Sequence, residues 1–152
     1  MSNTDRIEKK MVLRAPRARV WRAITDAEQF GTWFRAKFET AFVEGKPAIG
    51  RITHGGYEHL KMEIWVERIE PERLFSFRWH PYAVEPKKDY SAEPTTLVEF
   101  QLEEAPEGTV LTVTESGFDH IPAERRAEAF RMNEGGWAAQ LENVQAYVAA
   151  TS

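Results

Sequence analysis

The stretch "PAERRAEAFRMNEGGWAAQLENVQAYVAA", residues 122–150, decides the fold of this chain. Its apolar residues recur every three or four positions, which predicts one long amphipathic helix. The apolar stripe consists of Phe130, Trp137, Leu141, Val144 and Val148. A single helix with such a stripe needs a large apolar surface to cover, and the strands predicted upstream supply one.

Two adjacent glycines, Gly135 and Gly136, interrupt this helix just before Trp137. A glycine inside a helix costs about 1 kcal/mol relative to alanine. We interpret the pair as a turn that approaches the sheet closely or bends over it, so that Trp137 points inward. Simple close packing and a bend that roofs a ligand cavity both fit this interpretation.

Most of the chain before this helix alternates apolar and polar residues, which is typical of strands. A first strand lies within 6–16, with Ile7, Met11 and Leu13 on one face. Pro16 opens a short helix, and Asp26 caps a second one. Further strands are predicted over 37–43, 48–54, 59–69, 73–79, 95–103 and 109–118, with a hairpin turn at 55–59. This order predicts an α+β fold, in which one long helix covers a curved antiparallel sheet of about seven strands.

Two hairpin registers place the large apolar side chains on one face of the sheet. Ile69 pairs with Leu74 in one hairpin, and Glu104 pairs with Thr109 in the other. A slip of one residue would turn these side chains outward. The predicted inner face consists of Leu60, Met62, Ile64, Val66, Phe75, Phe77, Trp79, Val98, Phe100, Leu102, Leu111 and Val113. The second register also places Glu115 on this face.

Composition excludes several classes of function. The 152 residues suit a single domain, 1–152, and the net charge of −4 leaves no basic face for a nucleic acid. Cysteine is absent, and the four histidines have no metal-binding spacing. No phosphate-binding loop, leader or membrane-length apolar segment occurs. We therefore expect a soluble cytoplasmic protein without a metal, a cofactor or a membrane partner.

Four blocks of the sequence resemble a known superfamily in their order. They are "APRARVWRAITDAEQFGTWF", "ERIEPERLFSFRW", "GTVLTVTESGF" and "EGGWAAQLENV". They are similar to the helix-grip superfamily, also called START-related, SRPBCC or birch-pollen-allergen-like. Within it, the chain resembles the bacterial AHSA-like branch, named after the C-terminal domain of the heat-shock-protein ATPase activator.

The resemblance covers nearly the whole chain and implies a seven-stranded sheet that grips the last helix around an apolar cavity. Relatives bind lipids, sterols or polyketides, and some cyclise aromatic polyketides. The resemblance supplies no catalytic residues for positions of this chain. The eukaryotic activator has a separate N-terminal chaperone-binding domain, for which this chain has no room.

A pocket lined by aromatic rings and a few polar groups is typical of small-molecule sites, and methionine adapts to irregular shapes. We predict a ligand pocket lined by Met62, Ile64, Phe77, Trp79, Tyr82, Phe100, Glu115, Phe118, Met132 and Trp137. His80 and Tyr82 follow Trp79 near the expected mouth, where either could donate a hydrogen bond to a ligand. The alternative is a plain core in which these rings leave no room, with His80 and Tyr82 on a surface loop.

Glu115 is the candidate for chemistry. A carboxylate on the inner face loses its water, so that a cation or hydrogen-bond donors must meet it. Such a group could serve as an acid, a base or an anchor for a ligand hydroxyl. The alternative is a carboxylate at the end of a strand that reaches water or binds backbone amides near Gly117.

Three hypotheses of function follow. The first is a non-catalytic protein that binds an apolar or aromatic small molecule between the sheet and the last helix. The second is an enzyme similar to polyketide cyclases or hydratases, with Glu115 as general acid or base. The third is a co-chaperone-like interaction module with a filled core and no ligand. An exposed sheet edge would also allow two copies to form a homodimer.

Overall fold

The computed structural model describes residues 5–53, 60–81 and 92–150. These residues form a seven-stranded antiparallel sheet with the order β1-β7-β6-β5-β4-β3-β2. The elements are β1 (Arg6–Leu13), α1 (Arg17–Thr25), α2 (Ala27–Phe34), β2 (Ala36–Phe38), β3 (Pro47–Ile52), β4 (Lys61–Glu70), β5 (Leu74–Trp79), β6 (Thr96–Ala105), β7 (Gly108–Ser116), a 3-10 turn (Phe118–His120) and α3 (Ala123–Ala150). The predicted helix-grip α+β fold is confirmed.

Both short helices begin where the sequence predicts. Pro16 precedes α1, and its carbonyl oxygen accepts hydrogen bonds from the backbone N–H groups of the first turn. The side chain of Asp26 accepts a hydrogen bond from the backbone N–H of Glu28 at 3.0 Å, which caps α2. Arg35 ends α2 in the left-handed conformation, with a φ of 69°. The chain thereby turns directly from α2 into the edge strand β2.

The register of β6 and β7 is confirmed along its length, including the pairing of Val98 with Glu115. The register of β4 and β5 is confirmed only in part. Val66 pairs with Phe77 as predicted, but Ile69 pairs with Phe75 rather than with Leu74. A β-bulge between Val66 and Arg68 causes this shift, because it adds one residue to β4.

The strand predicted over 37–43 is wrong beyond Phe38, where β2 ends. Phe42 turns back into the core, and its ring lies edge-on to Phe38 with 5.0 Å between centroids. In an extended strand the two residues would share a face but lie about 13 Å apart, so the contact of their rings requires the bend in the chain after Phe38. The predicted hairpin turn at 55–59 lies outside the described residues.

The core lies between the inner face of the sheet and the helices. Ten of the twelve side chains predicted for the inner face are buried, whereas Leu60 and Trp79 are half-buried. From α3, the side chains of Trp137, Leu141, Val144 and Val148 are buried against this face, and Phe130 is half-buried. No helix within the described ranges is long and apolar enough to cross a membrane.

The interpretation of Gly135 and Gly136 as a point of close approach to the sheet is wrong. Both glycines are exposed, and a Cβ atom built at either position would meet nothing within 4 Å. The helix runs without interruption from Ala123 to Ala150. Packing within the described residues therefore gives no reason for the pair.

We expect Gly135→Ala and Gly136→Ala each to raise the free energy of unfolding by about 0.4–1 kcal/mol. Alanine reduces the conformational freedom of the unfolded chain, and there is space for its methyl group in the folded state. Urea denaturation measures the change. Gly108→Ala is the opposing control, because Gly108 has a φ of +148° and a Cβ there would collide with the backbone of Leu13. Destabilisation by the two helical variants would show that the pair has a structural role.

Candidate functional site

The side chain of Glu115 is 0% exposed and lies on the inner face of β7. Its Oε2 accepts hydrogen bonds from Trp79 Nε1 at 2.7 Å and from Thr96 Oγ1 at 2.5 Å. Its Oε1 accepts one from Trp137 Nε1 at 2.8 Å. The amide of Asn133 donates from Nδ2 to both oxygens, at 2.9 Å and 3.2 Å. We call these five residues the Glu115 cluster.

All four donors of the Glu115 cluster are neutral. Within the described part of the chain, no lysine, arginine or histidine forms an ion pair with Glu115. The two oxygens of a carboxylate offer about four lone-pair positions, and four donors are present. Glu115 is therefore a buried carboxylate that is satisfied entirely by neutral hydrogen-bond donors.

The alternative that Glu115 reaches water or backbone amides is wrong. The backbone N–H of Gly117 instead donates to the carbonyl oxygen of Asp5 at 3.1 Å, and that of Phe118 donates to the same oxygen at 3.2 Å. Asp5 thus takes up the amides that follow β7. This leaves the Glu115 side chain to the groups that lie between the sheet and α3.

The Glu115 cluster joins three neighbouring strands to the long helix. Trp79 ends β5, Thr96 begins β6 as its paired neighbour, and Glu115 lies near the end of β7. Asn133 and Trp137 are four residues apart on α3, which places them on the same face of the helix. Since antiparallel strands bring these ends together, the cluster fixes α3 at one end of the sheet.

Aromatic rings pack against one another between the sheet and α3 at the level of the cluster. The rings of Trp79 and Trp137 stack, with centroids 5.7 Å apart and an interplanar angle of 29°. Phe100 lies edge-on to Trp137 at 5.7 Å. Phe34 of α2 lies 6.0 Å from Trp79 and 6.2 Å from Trp137. Three of these rings, those of Trp79, Phe100 and Trp137, belong to residues predicted to line the pocket, and they contact one another.

Apolar side chains next to these rings are only half-buried. They lie at the end of α2, in β2, and at the ends of β3, β4 and β5 that share one end of the sheet. We call them the apolar rim: Phe34, Phe38, Ile52, Leu60 and Trp79. The backbone joins part of this set, since Ile52 pairs with Ala36 and its N–H donates to the carbonyl oxygen of Leu60 at 3.1 Å. Among the described residues, the rim is thus an apolar surface whose side chains are only half-buried.

The residues predicted to line a pocket fall into several groups. Met62, Ile64, Phe77, Phe100, Phe118 and Trp137 are buried in the core, together with Glu115. Trp79 is half-buried in the apolar rim, and Tyr82 lies outside the described residues. Met132 was predicted to line the pocket, but it is 43% exposed. Asn133 and Trp137 define the inward face of α3, and Met132 lies off that face.

Two members of the Glu115 cluster were missed by the sequence analysis. Asn133 precedes Trp137 by four residues, so it was recognisable as a polar group on the apolar stripe of the helix. Thr96 has the same parity as Val98 and Phe100, which the register already placed on the inner face. The role of Asn133 as a donor was not recognisable, because it depends on the docking of α3 against the sheet, whereas Thr96 reaches Glu115 from the neighbouring strand β6.

His80 lies apart from the Glu115 cluster. Its ring is edge-on to Trp65 at 5.6 Å, and its Nε2 lies 3.1 Å from the carbonyl oxygen of Glu93. Trp65 belongs to the face of β4 opposite to the core, because its neighbours in the strand point inward. Arg125 at the start of α3 donates to Glu93 Oε1 at 2.8 Å and to the carbonyl oxygen of Pro81 at 2.7 Å. These contacts hold the start of α3 beside the end of β5.

An open groove of about 800 Å³ runs along α2 and β2, away from the predicted pocket residues. Its walls carry the charged side chains of Asp26, Glu28, Lys37 and Glu39. None of the residues predicted to bind a ligand lines it. Among the described residues, no group of histidine, aspartate and glutamate side chains could hold a metal ion.

The chain matches a known protein family over most of its length. Residues 14–149 match the family described as Activator of Hsp90 ATPase homolog 1-like protein. No curated protein matches the chain in sequence.

Several solved structures share the fold. Protein MLL2253 from Mesorhizobium loti has a TM-score of 0.76 and 21% identity, covering 97% of this chain and 98% of its own. A protein from Arthrobacter aurescens has a TM-score of 0.77 and 20% identity, covering 99% and 90%. DynU16, a putative protein in the dynemicin biosynthetic locus, has a TM-score of 0.74 and 22% identity, covering 97% of this chain and 48% of its own. These similarities concern the fold alone.

Proposed function

Since the chain belongs to the family of Activator of Hsp90 ATPase homolog 1-like proteins, we propose that it binds an apolar or aromatic small molecule without catalysing a reaction. The apolar rim is the observation that carries this proposal. Its five side chains are half-buried and lie at the end of α2 and at one end of the sheet, where a bound molecule would complete their burial. Each Å² of apolar surface removed from water stabilises a complex by roughly 25 cal/mol.

The position of the rim, rather than the centre of the sheet, suits a ligand. Deeper between the sheet and the helices, the buried rings of Phe77 and Phe100 already contact one another. A small molecule that stacks on Trp79 or Phe34 needs no displacement of this core. DynU16, which shares the fold, comes from a biosynthetic locus, and this fits a role that involves a small molecule.

The geometry favours binding over the enzyme hypothesis. A general base needs a carboxylate oxygen within hydrogen-bond reach of a substrate proton. Both oxygens of Glu115 accept hydrogen bonds from side chains of the protein, so Glu115 could act on a substrate proton only after one of these donors is displaced. We further propose that the chain acts as one domain, 1–152, in the cytoplasm, and that it needs neither a cofactor nor a nucleic acid. The homodimer and the co-chaperone role stay hypotheses.

We expect Ile52→Ala to raise the Kd of a neutral apolar fluorophore, N-phenyl-1-naphthylamine, by about fivefold. The change removes part of the half-buried surface on which the probe would lie. Fluorescence titration of the folded protein measures the Kd. Native mass spectrometry of protein purified from its own host would identify a natural occupant.

Ile49→Ala is the matched control for this experiment. Ile49 is the same residue type in the same strand, is also half-buried, and faces away from the core. Its substitution should leave the Kd unchanged. Absence of binding by the wild type, or equal effects of the two substitutions, would show that the apolar rim is not the binding surface.

A further inference from the structure

We propose that the amide of Asn133 is an exchangeable donor, which a ligand bound at the apolar rim replaces on Glu115. The site would then select molecules that combine an aromatic or apolar body with a hydrogen-bond donor. This inference rests on the proposed function. It adds which residue a ligand displaces and which chemical group the ligand carries.

Glu115 recognises groups that donate hydrogen bonds. An ionised carboxylate accepts hydrogen bonds and cannot donate them. The Glu115 side chain is 0% exposed and meets four neutral donors rather than a cation in the described part of the chain. A hydroxyl, an amine or an ammonium group therefore satisfies Glu115, whereas an ether does not.

Among the four donors to Glu115, Asn133 is the one that a ligand can displace. Thr96 is 0% exposed and Trp137 is 3% exposed, and both are enclosed by the core. The ring of Trp79 is stacked on that of Trp137, which holds its indole N–H in place. Asn133 is half-buried, and its amide shares its contact between the two oxygens at 2.9 Å and 3.2 Å. Its side chain can rotate towards water, where the amide keeps its hydrogen bonds.

A ligand that carries a carboxylate or an ether in place of the donor would bind more weakly. A ligand with a carboxylate would bring a second negative charge beside Glu115 in a place with little water, and like charges in such a place repel strongly. A ligand with an ether at the same position would leave Asn133 where it is and gain no charged hydrogen bond. Both would bind through the apolar rim alone, and the carboxylate would bind more weakly than the ether.

Three probes of nearly equal shape test this selection: 2-naphthol, 2-methoxynaphthalene and 2-naphthoate. Calorimetric or fluorescence titration of the wild type should give a Kd for 2-naphthol at least about threefold lower than for 2-methoxynaphthalene. The Kd for 2-naphthoate should be the highest. The Kd of a fourth probe, 2-naphthylmethylamine, compares an ammonium donor with the neutral hydroxyl donor of 2-naphthol.

Asn133→Ala tests the exchange itself. Without the competing amide, the preference for 2-naphthol over the ether should grow to about tenfold. Asn143→Ala is the matched control, because Asn143 lies on the same helix and its exposed amide binds only Gln140 among the described residues. In the wild type, nuclear magnetic resonance should show the Asn133 side-chain amide moving towards its solvent-exposed position when 2-naphthol binds, but not when the ether binds.

The outcomes separate this inference from the proposed function. Equal Kd values for 2-naphthol and its ether, or an Asn133 resonance that does not move, would overturn the inference and leave ligand binding intact. Failure of every probe to bind would overturn the proposed function. The comparison of probes on the wild type stands even where a variant does not fold.

Discussion

Glu115→Ala is expected to lower the free energy of unfolding by about 3–5 kcal/mol. The substitution removes one side chain but leaves four donors without their acceptor. Two of them, on Thr96 and Trp137, have almost no access to water. Each buried donor that loses its partner costs about 1–3 kcal/mol, and rotation of Asn133 towards solvent reduces the total. Denaturation in urea, followed by tryptophan fluorescence and circular dichroism, measures the loss.

Glu115→Gln is expected to cost less, about 1–3 kcal/mol. Glutamine keeps the shape and one acceptor oxygen, but its NH₂ group faces a donor that it cannot satisfy. Glu103→Ala and Glu103→Gln are matched controls, since Glu103 lies exposed on β6 and its change should stay within about 0.5 kcal/mol. Equal stability of the Glu115→Ala and Glu103→Ala variants would show that the cluster does not hold α3 to the sheet.

The location of Glu115 was predictable from sequence because the β6–β7 hairpin has a strong pattern. Apolar residues alternate on both strands, and polar or charged residues occupy most of the other positions, so one register buries far more apolar surface than its neighbours. This register extends the inner face along β7 as far as Glu115. The same reasoning gave only half of the β4–β5 register. The bulge after Val66 lies where Glu67 and Arg68 are both exposed, and alternation alone does not say which strand carries the extra residue.

The partners of Glu115 were not predictable in the same way. Pairing of β5, β6 and β7 brings Trp79 and Thr96 beside Glu115, but only the docking of α3 brings the donor of Trp137 to the same carboxylate. Spacing does place Asn133 and Trp137 on one face of the helix, but spacing does not fix the rotation of that face against the sheet. Met132 shows the limit, since an apolar residue next to the stripe proved exposed.

Phe30→Ala is expected to cost about 3–5 kcal/mol of unfolding free energy. Phe30 lies on α2, is 0% exposed, and fills the space between that helix and the sheet. Its ring centroid lies between 4.7 and 6.4 Å from those of Trp33, Phe34, Phe38, Phe42, Phe77 and Phe100. Loss of the ring removes both its own burial and the contacts of its neighbours, which cannot all close the gap.

Phe34→Ala is the matched control on the same helix, because Phe34 is half-buried and its loss should cost clearly less. The Phe30→Ala variant should also gain a dry cavity that accepts benzene, which would raise its Tm while leaving that of Phe34→Ala less affected. A small loss of stability at Phe30, comparable to that at Phe34, would mean that the interior is less tightly filled than the ring contacts indicate. A ligand would then have room beneath α2, and the apolar rim would be only the entrance to its site.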